Sequence, residues 1–265
     1  MQTESSLTRT VQIAHRILGA AYKEAVRLGV VGTSPMDRVR APAAKGSQVE
    51  AFHTPEQTHA LLQAALDTND QALIAFVRVG VETGARLSEL AGLSWADVET
   101  VDGDCVITFR LQLAKQAKKW TRAPLKTAKS VRSIFLSKEA ATAIEGQRLR
   151  QTVDALANPL GLVLLNEIGR PWEQSHVNKR LATLCEKAEV PYMSSHKSFR
   201  HSYATRALKA GASLHDASRT MGHSRPTLTG ALYGHHTLDA SKRVADFGQK
   251  SLTEAAERAK AKKKG

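Results

Sequence analysis

The sequence predicts a mainly α-helical chain with a small antiparallel β-sheet, an α+β fold. Three observations carry this: apolar residues recur at three- and four-residue spacing along most of the chain, two short runs alternate as strands do, and glycines or capping residues punctuate the helical stretches. With 265 residues, 42% hydrophobic and 24% charged, the composition is that of an ordinary globular protein, with room for one sizeable domain and a small companion.

The first element is an amphipathic helix. Its apolar positions Leu7, Val11, Ala14, Leu18, Ala21, Tyr22 and Ala25 run up to a stop at Gly29. Arg9, Arg16 and Lys23 fall on another stripe and, with Arg27, form a candidate track for a DNA backbone; a plain solvated face gives the same spacing. After Thr33-Ser34-Pro35 the stretch DRVRAPAAKGSQVE has no apolar periodicity and reads as a linker over 38–50.

A second domain then begins. Thr54 is an N-cap, Pro55 stands at the first helical position and Gln57 closes a capping box. The following QALIAFVRVGVETG lacks a polar face, which predicts a fully buried helix ending at Gly84. In CVITFRL, Cys105, Ile107, Phe109 and Leu111 alternate with other residues, and VRSIFL reads as another strand. The basic stretch KQAKKWTRAPLKTAKS lies between them. From Ser137 onward helices return: EQSHVNKRLATLCEKA, a segment from Phe199 to Ala210 stopped by Gly211, and one from Ser213 stopped by Gly222. The tail AERAKAKKKG reads as a solvated end, whose charge could touch phosphate.

An excess of 38 Lys and Arg over 25 Asp and Glu gives a formal charge of +13, which points to a polyanionic partner. Cys105 and Cys185 are the two cysteines, far apart, so neither a disulfide framework nor a CxxC zinc site is suggested. The N-terminus MQTESSLTRTVQ carries no apolar signal stretch, and no run of about 18 apolar residues occurs. A cytoplasmic, nucleoid-associated protein without membrane attachment is the expectation.

Four blocks give the chemistry. ETGARLSELAGLSWADV, LKTAKSVRSIFLS, KSFRHSYATRALKAG and MGHSRPTLTGALYGH occur in that order, and together they resemble the motifs of the tyrosine recombinase (phage integrase) family from about Thr54 to His235. The resemblance puts Arg86 and Arg200 in the two arginine positions, Glu89 beside the first, Lys126 on the lysine turn, and His223 and Tyr233 at the histidine and nucleophile positions. It implies a tyrosine recombinase catalytic domain at 51–248, a truncated helical core-binding element at 1–37 and a basic tail at 249–265.

The residue types suit the reaction. A phosphodiester attacked by a hydroxyl gathers negative charge on its nonbridging oxygens, and a guanidinium offers a planar, permanently charged fork to hold them. Arg86 and Arg200 are the candidate clamp. Glu89, three residues after Arg86, is close enough on a helical turn to orient it and has a supporting role. Lys126 is the candidate acid for the leaving 5′ oxygen, with Lys129 its rival; Lys118, Lys119, Arg122 and Lys129 are further candidate phosphate contacts. His223 can donate a hydrogen bond to a phosphoryl oxygen. Tyr233 is a poor nucleophile at neutral pH unless nearby cations stabilise its phenolate. A phosphotyrosyl bond conserves the phosphodiester energy, so no ATP, metal or other cofactor is implied.

The sequence departs from the family twice. Three residues before Arg200, where most members carry His, stands Lys197, with His196 one residue too early. On an α-helix Lys197 and Arg200 share a face and His196 points away, so Lys197 takes the role, with phosphate binding as its task; whether His196 assists stays open. Only 53 residues precede Thr54, so the expectation is a partial DNA clamp and weak binding without partner protomers. The resemblance implies a homotetramer on two double-stranded DNA sites, a 3′-phosphotyrosyl intermediate, a mobile element as setting and, in some systems, a DNA-bending accessory protein. Alternatives are relaxation of one duplex, as by type IB topoisomerases, and a noncatalytic DNA-binding derivative.

Overall fold

The structure is a computed structural model. It describes residues 2–41, 52–117 and 119–222, the side chains of 2–9 and 129 excepted. His223, Tyr233, Lys118, the tail and most of the expected linker lie outside the described residues, as do the side chains of Arg9 and Lys129. The chain divides into two compact units, Met1–Glu50 and Ala51–Gly265.

In the first unit, helix α1 (Gln2–Arg27) ends at Gly29, which takes φ 70°. That left-handed turn is one glycine adopts without steric penalty. A 3-10 turn (Pro35–Arg38) follows, with the Ser34 hydroxyl accepting the Met36 N–H. His15 Nε2 meets the Val39 carbonyl at 2.8 Å and ties this turn to the helix.

The second unit opens with α2 (Pro55–Leu66). Its capping box forms as the sequence requires: Thr54 Oγ1 accepts the Gln57 N–H at 3.2 Å and Gln57 Oε1 accepts the Thr54 N–H at 3.0 Å. Helix α3 (Gln71–Thr83) is capped by Asp70, which accepts from the Ala72 and Leu73 N–H groups. Its apolar residues are buried on most of its surface, with a partly exposed stripe of Gln71, Arg78 and Glu82, and it forms the axis of the core. Phe76 packs on Trp172 at 4.6 Å between ring centroids and edge-on to Phe199 at 6.1 Å. Burial of one such ring stabilises the fold by about 1.5–3 kcal/mol.

After the short α4 (Leu87–Ala91) come five strands: β1 (Val98–Val101), β2 (Asp104–Phe109), β3 (Leu111–Gln116), β4 (Lys119–Pro124) and β5 (Arg132–Phe135). They form two antiparallel sheets instead of the single small sheet expected, one ordered β1-β2-β5 and one a β3-β4 hairpin. The expected first strand ends at Phe109, and Leu111 instead opens β3 of the hairpin, which runs on into the basic stretch that had no strand assignment because its lysines and arginines obscure the period-two pattern. Lys126 therefore sits on the exposed connection between hairpin and β5, outside both sheets.

Four further α-helices follow among the described residues: α5 (Lys138–Val153), capped by Ser137, then α6 (Gln174–Lys187), α7 (Ser202–Lys209) and α8 (Leu214–Thr220). The segment expected to be α-helical from Phe199 begins instead as a π-helical turn, His196–His201. The Ser198 and Ser202 hydroxyls donate to the carbonyls five residues back, Met193 and Lys197, matching the wider turn. Among the described residues, no helix is long and apolar enough to cross a membrane.

Gly80 lets this turn approach α3, since a Cβ there would lie 2.7 Å from Phe199 Cδ2. Replacing Gly80 with Val should therefore lower stability by about 1–3 kcal/mol through overpacking. Urea denaturation measures it; an unchanged midpoint would show that the ring has room to move.

Candidate active site

The site is built where α3 hands over to α4. Gly84 closes α3 with φ 58°, and two residues later Arg86 caps α4 in extended backbone. Glu89, at the third helical position, uses both carboxylate oxygens on this turn: Oε2 accepts the Arg86 backbone N–H at 3.0 Å and Oε1 accepts Arg86 Nη1 at 2.6 Å. The carboxylate is 2% exposed while the Arg86 side chain is 40% exposed, so a buried anion holds a guanidinium that still reaches solvent.

Glu89 has a second partner that sequence reasoning missed. Arg132, 5% exposed on β5, places Nη2 2.8 Å from Glu89 Oε2. Its Nε donates to the Thr220 carbonyl at 2.5 Å, Nη1 donates to the Ser130 carbonyl at 3.1 Å, and the guanidinium carbon lies 4.6 Å from the centre of the Phe109 ring. A signal for it did exist in the sequence: Arg132 is in phase with Ile134 and Leu136, on the buried face of the strand. A charged residue in that phase must be paired. Burial alone pushes the Glu89 carboxyl up, but the charge of Arg132 and hydrogen bonds from Arg132 and Arg86 outweigh it and hold the group below the usual carboxylate range. Burial likewise pulls the Arg132 guanidinium down, against the opposing pull of Glu89.

Arg200, buried in the π-turn, reaches the same junction. Its Nη1 donates to the Gly84 carbonyl at 3.1 Å, two residues ahead of Arg86. Tyr203 covers Gly84 so closely that a Cβ there would lie 2.8 Å from its ring, and burial pushes its phenol up from the ordinary value. α7 is fixed to α3 by Arg206, whose Nη2 donates to the Val81 carbonyl at 2.7 Å. The end of α8 also arrives here: the Gly222 carbonyl lies 3.5 Å from both Nη1 and Nη2 of Arg86 and 3.4 Å from the Ser130 hydroxyl. Gly222 directly precedes His223 in sequence.

A cavity of about 450 Å³ opens beside Arg86, lined by Leu113, Trp120, Trp172, Gln174 and His196 among others. His196, not Lys197, is on this lining. The shared face expected for Lys197 and Arg200 assumed α-helical spacing; in the π-turn residues five apart stack, and His196 Nδ1 meets His201 Nε2 at 3.1 Å.

The matched family decides what this geometry belongs to: the Phage integrase family model matches residues 51–239. The chain belongs to the phage integrase family. Among relatives, a tyrosine recombinase XerC-like protein of Caldanaerobacter subterraneus subsp. tengcongensis is 22% identical over 245 residues, covering 86% of this chain and 62% of the relative. The ICEBs1 integrase of Bacillus subtilis is also 22% identical, with the same two coverages. The chain thus spans about 62% of the length of these relatives. Among solved structures, the Tn1549 transposon integrase in complex with transposon right end DNA superposes with TM-score 0.73 at 22% identity, over 90% of this chain and 78% of that one. A lambda integrase dimer bound to a core site gives TM-score 0.56 at 18% identity, over 85% and 76%. The fold is that of tyrosine recombinase catalytic domains.

For this integrase-family chain, the structure brings Arg86, Glu89 and Arg200 to one junction and leaves Lys126 exposed on the neighbouring turn. The candidate DNA contacts separate. Arg16, Lys23 and Lys119 are exposed. Arg27 pairs with Glu24 on its own helix. Arg122, expected at phosphate, is instead committed inside the fold: it pairs with Asp97, and its Nε donates to the Gly92 carbonyl at 3.0 Å.

Because the Glu89 carboxyl is held low in the folded state, its ionised form contributes stability above the ordinary value of 4.5, and that contribution is lost as pH falls through the lower folded value. Glu89→Gln should cost about 3 kcal/mol at neutral pH, leaving Arg132 buried without its anion. The gap from wild type should hold from pH 7 to pH 5 and close below, as followed by urea denaturation across pH. A gap independent of pH would show that Glu89 is not held ionised.

Proposed function

We propose that this chain is a site-specific DNA recombinase that cuts and rejoins double-stranded DNA through a 3′-phosphotyrosyl intermediate. The observation that carries the reading is the fixing of Arg86 and Arg200 at one short backbone junction, Gly84–Arg86, with Glu89 buried beside it. Two guanidiniums so fixed are prepared for the nonbridging oxygens of one phosphate, and their orientation costs nothing when the phosphorus becomes five-coordinate.

In the reaction, the Tyr233 oxygen bonds to phosphorus as the bond to the 5′ oxygen breaks. The phenolic proton passes to a base and Lys126 returns one to the leaving oxygen, giving a 5′ hydroxyl. The 5′ hydroxyl freed in the same way on the partner duplex then attacks the phosphotyrosyl ester and gives its proton back to Lys126, while the departing phenolate takes its proton back from the base and the strand is rejoined. The phosphoester energy is retained throughout, so the exchange runs without ATP, and the chain's own cations carry the charge that a metal ion would otherwise meet. His223 donates to a phosphoryl oxygen. His196, on the cavity beside Arg86, is better placed than Lys197 to face the phosphate.

The charge of +13 supports a DNA partner. Exchange between duplexes calls for four copies on two sites, each supplying one Tyr233, with a DNA-bending protein where the sites demand it. The likeness to the Tn1549 transposon integrase in structure and to the ICEBs1 integrase in sequence favours a mobile element as the setting.

The test is incubation with nicked duplexes from the DNA flanking the gene, followed by denaturing gels for covalent adduct. Wild type should form an adduct and Tyr233→Phe none; an adduct that survives the substitution removes Tyr233 from its role. Arg200→Ala should slow adduct formation by about 10²–10³-fold, the loss typical of removing one transition-state donor. His196→Gln should slow cleavage more than Lys197→Met does, in single-turnover assays of the two variants. The opposite ranking would restore Lys197 to the position the sequence first assigned it.

A further inference from the structure

Arg132 lies within the LKTAKSVRSIFLS block but has no assigned role there, yet each of its three guanidinium nitrogens donates a hydrogen bond. One edge meets Glu89, the residue that grips Arg86. Nη1 meets the Ser130 carbonyl, at the end of the turn that follows Lys126. Nε meets the Thr220 carbonyl, the last residue of α8 and three before His223. The Phe109 ring backs it from the neighbouring strand. Gly222 is fitted to the same group: its φ is +66°, and a Cβ there would lie 2.8 Å from Arg132 Nη1.

A side chain with three fixed donor directions, buried where three separate segments end, holds their relative positions as no point charge could. These segments are distant in sequence, and each carries or adjoins a residue proposed to act on DNA. The geometry points to Arg132 as a positioning residue that locks the Arg86 turn, the Lys126 turn and the end of α8 into one register, so that the cations assemble before DNA arrives. It acts through Glu89 and backbone carbonyls and does not itself touch phosphate. This inference rests on the recombinase reading for its catalytic consequence, though not for the mechanical tie.

Single-turnover adduct formation and DNA affinity are measured for wild type, Arg132→Ala and Arg132→Lys, with thermal melting to establish that each is folded. Loss of a residue that orients a reacting group typically lowers activity about 10–100-fold. Adduct formation should fall by that factor in both variants while DNA affinity changes by less than about threefold; lysine fails because a single ammonium cannot serve Glu89 and the Thr220 carbonyl together. Millimolar guanidinium should partly restore Arg132→Ala, and equimolar sodium chloride should not. A folded variant that cleaves at the wild-type rate, or one that loses cleavage and affinity equally without rescue, overturns the proposal.

Hydrogen exchange reads the tie without catalysis. In whichever variant is folded, amides from α8 through Gly222 should exchange faster, with α3 unchanged; unaltered protection there also overturns it. If wild type itself forms no adduct, the recombinase reading fails, and exchange still decides the role of Arg132.

Discussion

The site depends on one carboxylate shared by two guanidiniums. Glu89 is buried, and a buried carboxylate is costly unless its oxygens are fully engaged. Arg132 engages Oε2 at 2.8 Å and the Arg86 side chain engages Oε1 at 2.6 Å, and the Arg86 backbone supplies a third donor at 3.0 Å. Arg132 offsets the anion within the interior, and Arg86, with its outer face in solvent, is left oriented yet not consumed. That division suits the phosphate contact proposed for Arg86.

The fold can be seen as a support for this arrangement. Helix α3, buried along most of its surface, fixes the position of Gly84, and Gly84 fixes both Arg86 by sequence and Arg200 by its carbonyl. The π-turn brings Phe199 against Gly80 and Arg200 against Gly84 in consecutive residues, so packing and chemistry share one surface of α3. The three-stranded sheet contributes Arg132 from its buried face, joining the β region to the helical one at the site itself.

Much of this was legible in the residues. The capping box at Thr54, the buried helix ending at Gly84 and the strand character of VRSIFL all follow from local rules, and Glu89 was placed behind Arg86 from a three-residue spacing. Arg132 escaped because a lone arginine in a basic region reads as a surface charge unless its strand phase is followed through Ile134 and Leu136. The β3-β4 hairpin escaped for a related reason, since Lys115, Lys119 and Arg122 mask its alternation. His196 and Lys197 were ranked with α-helical geometry, and a π-turn changes which residues stack; hydroxyls at Ser198 and Ser202 are the local feature that accompanies it. Arg122 shows the converse error, a cation in a basic stretch whose partner, Asp97, lay 25 residues away.

A crystal structure of Tyr233→Phe on a nicked duplex bears most directly on the shared carboxylate. The scissile phosphate should place its nonbridging oxygens within hydrogen-bond reach of both Arg86 and Arg200, with Glu89 still joined to Arg86 and Arg132. A phosphate seated elsewhere, or bound by an Arg86 that has left Glu89, would contradict the clamp.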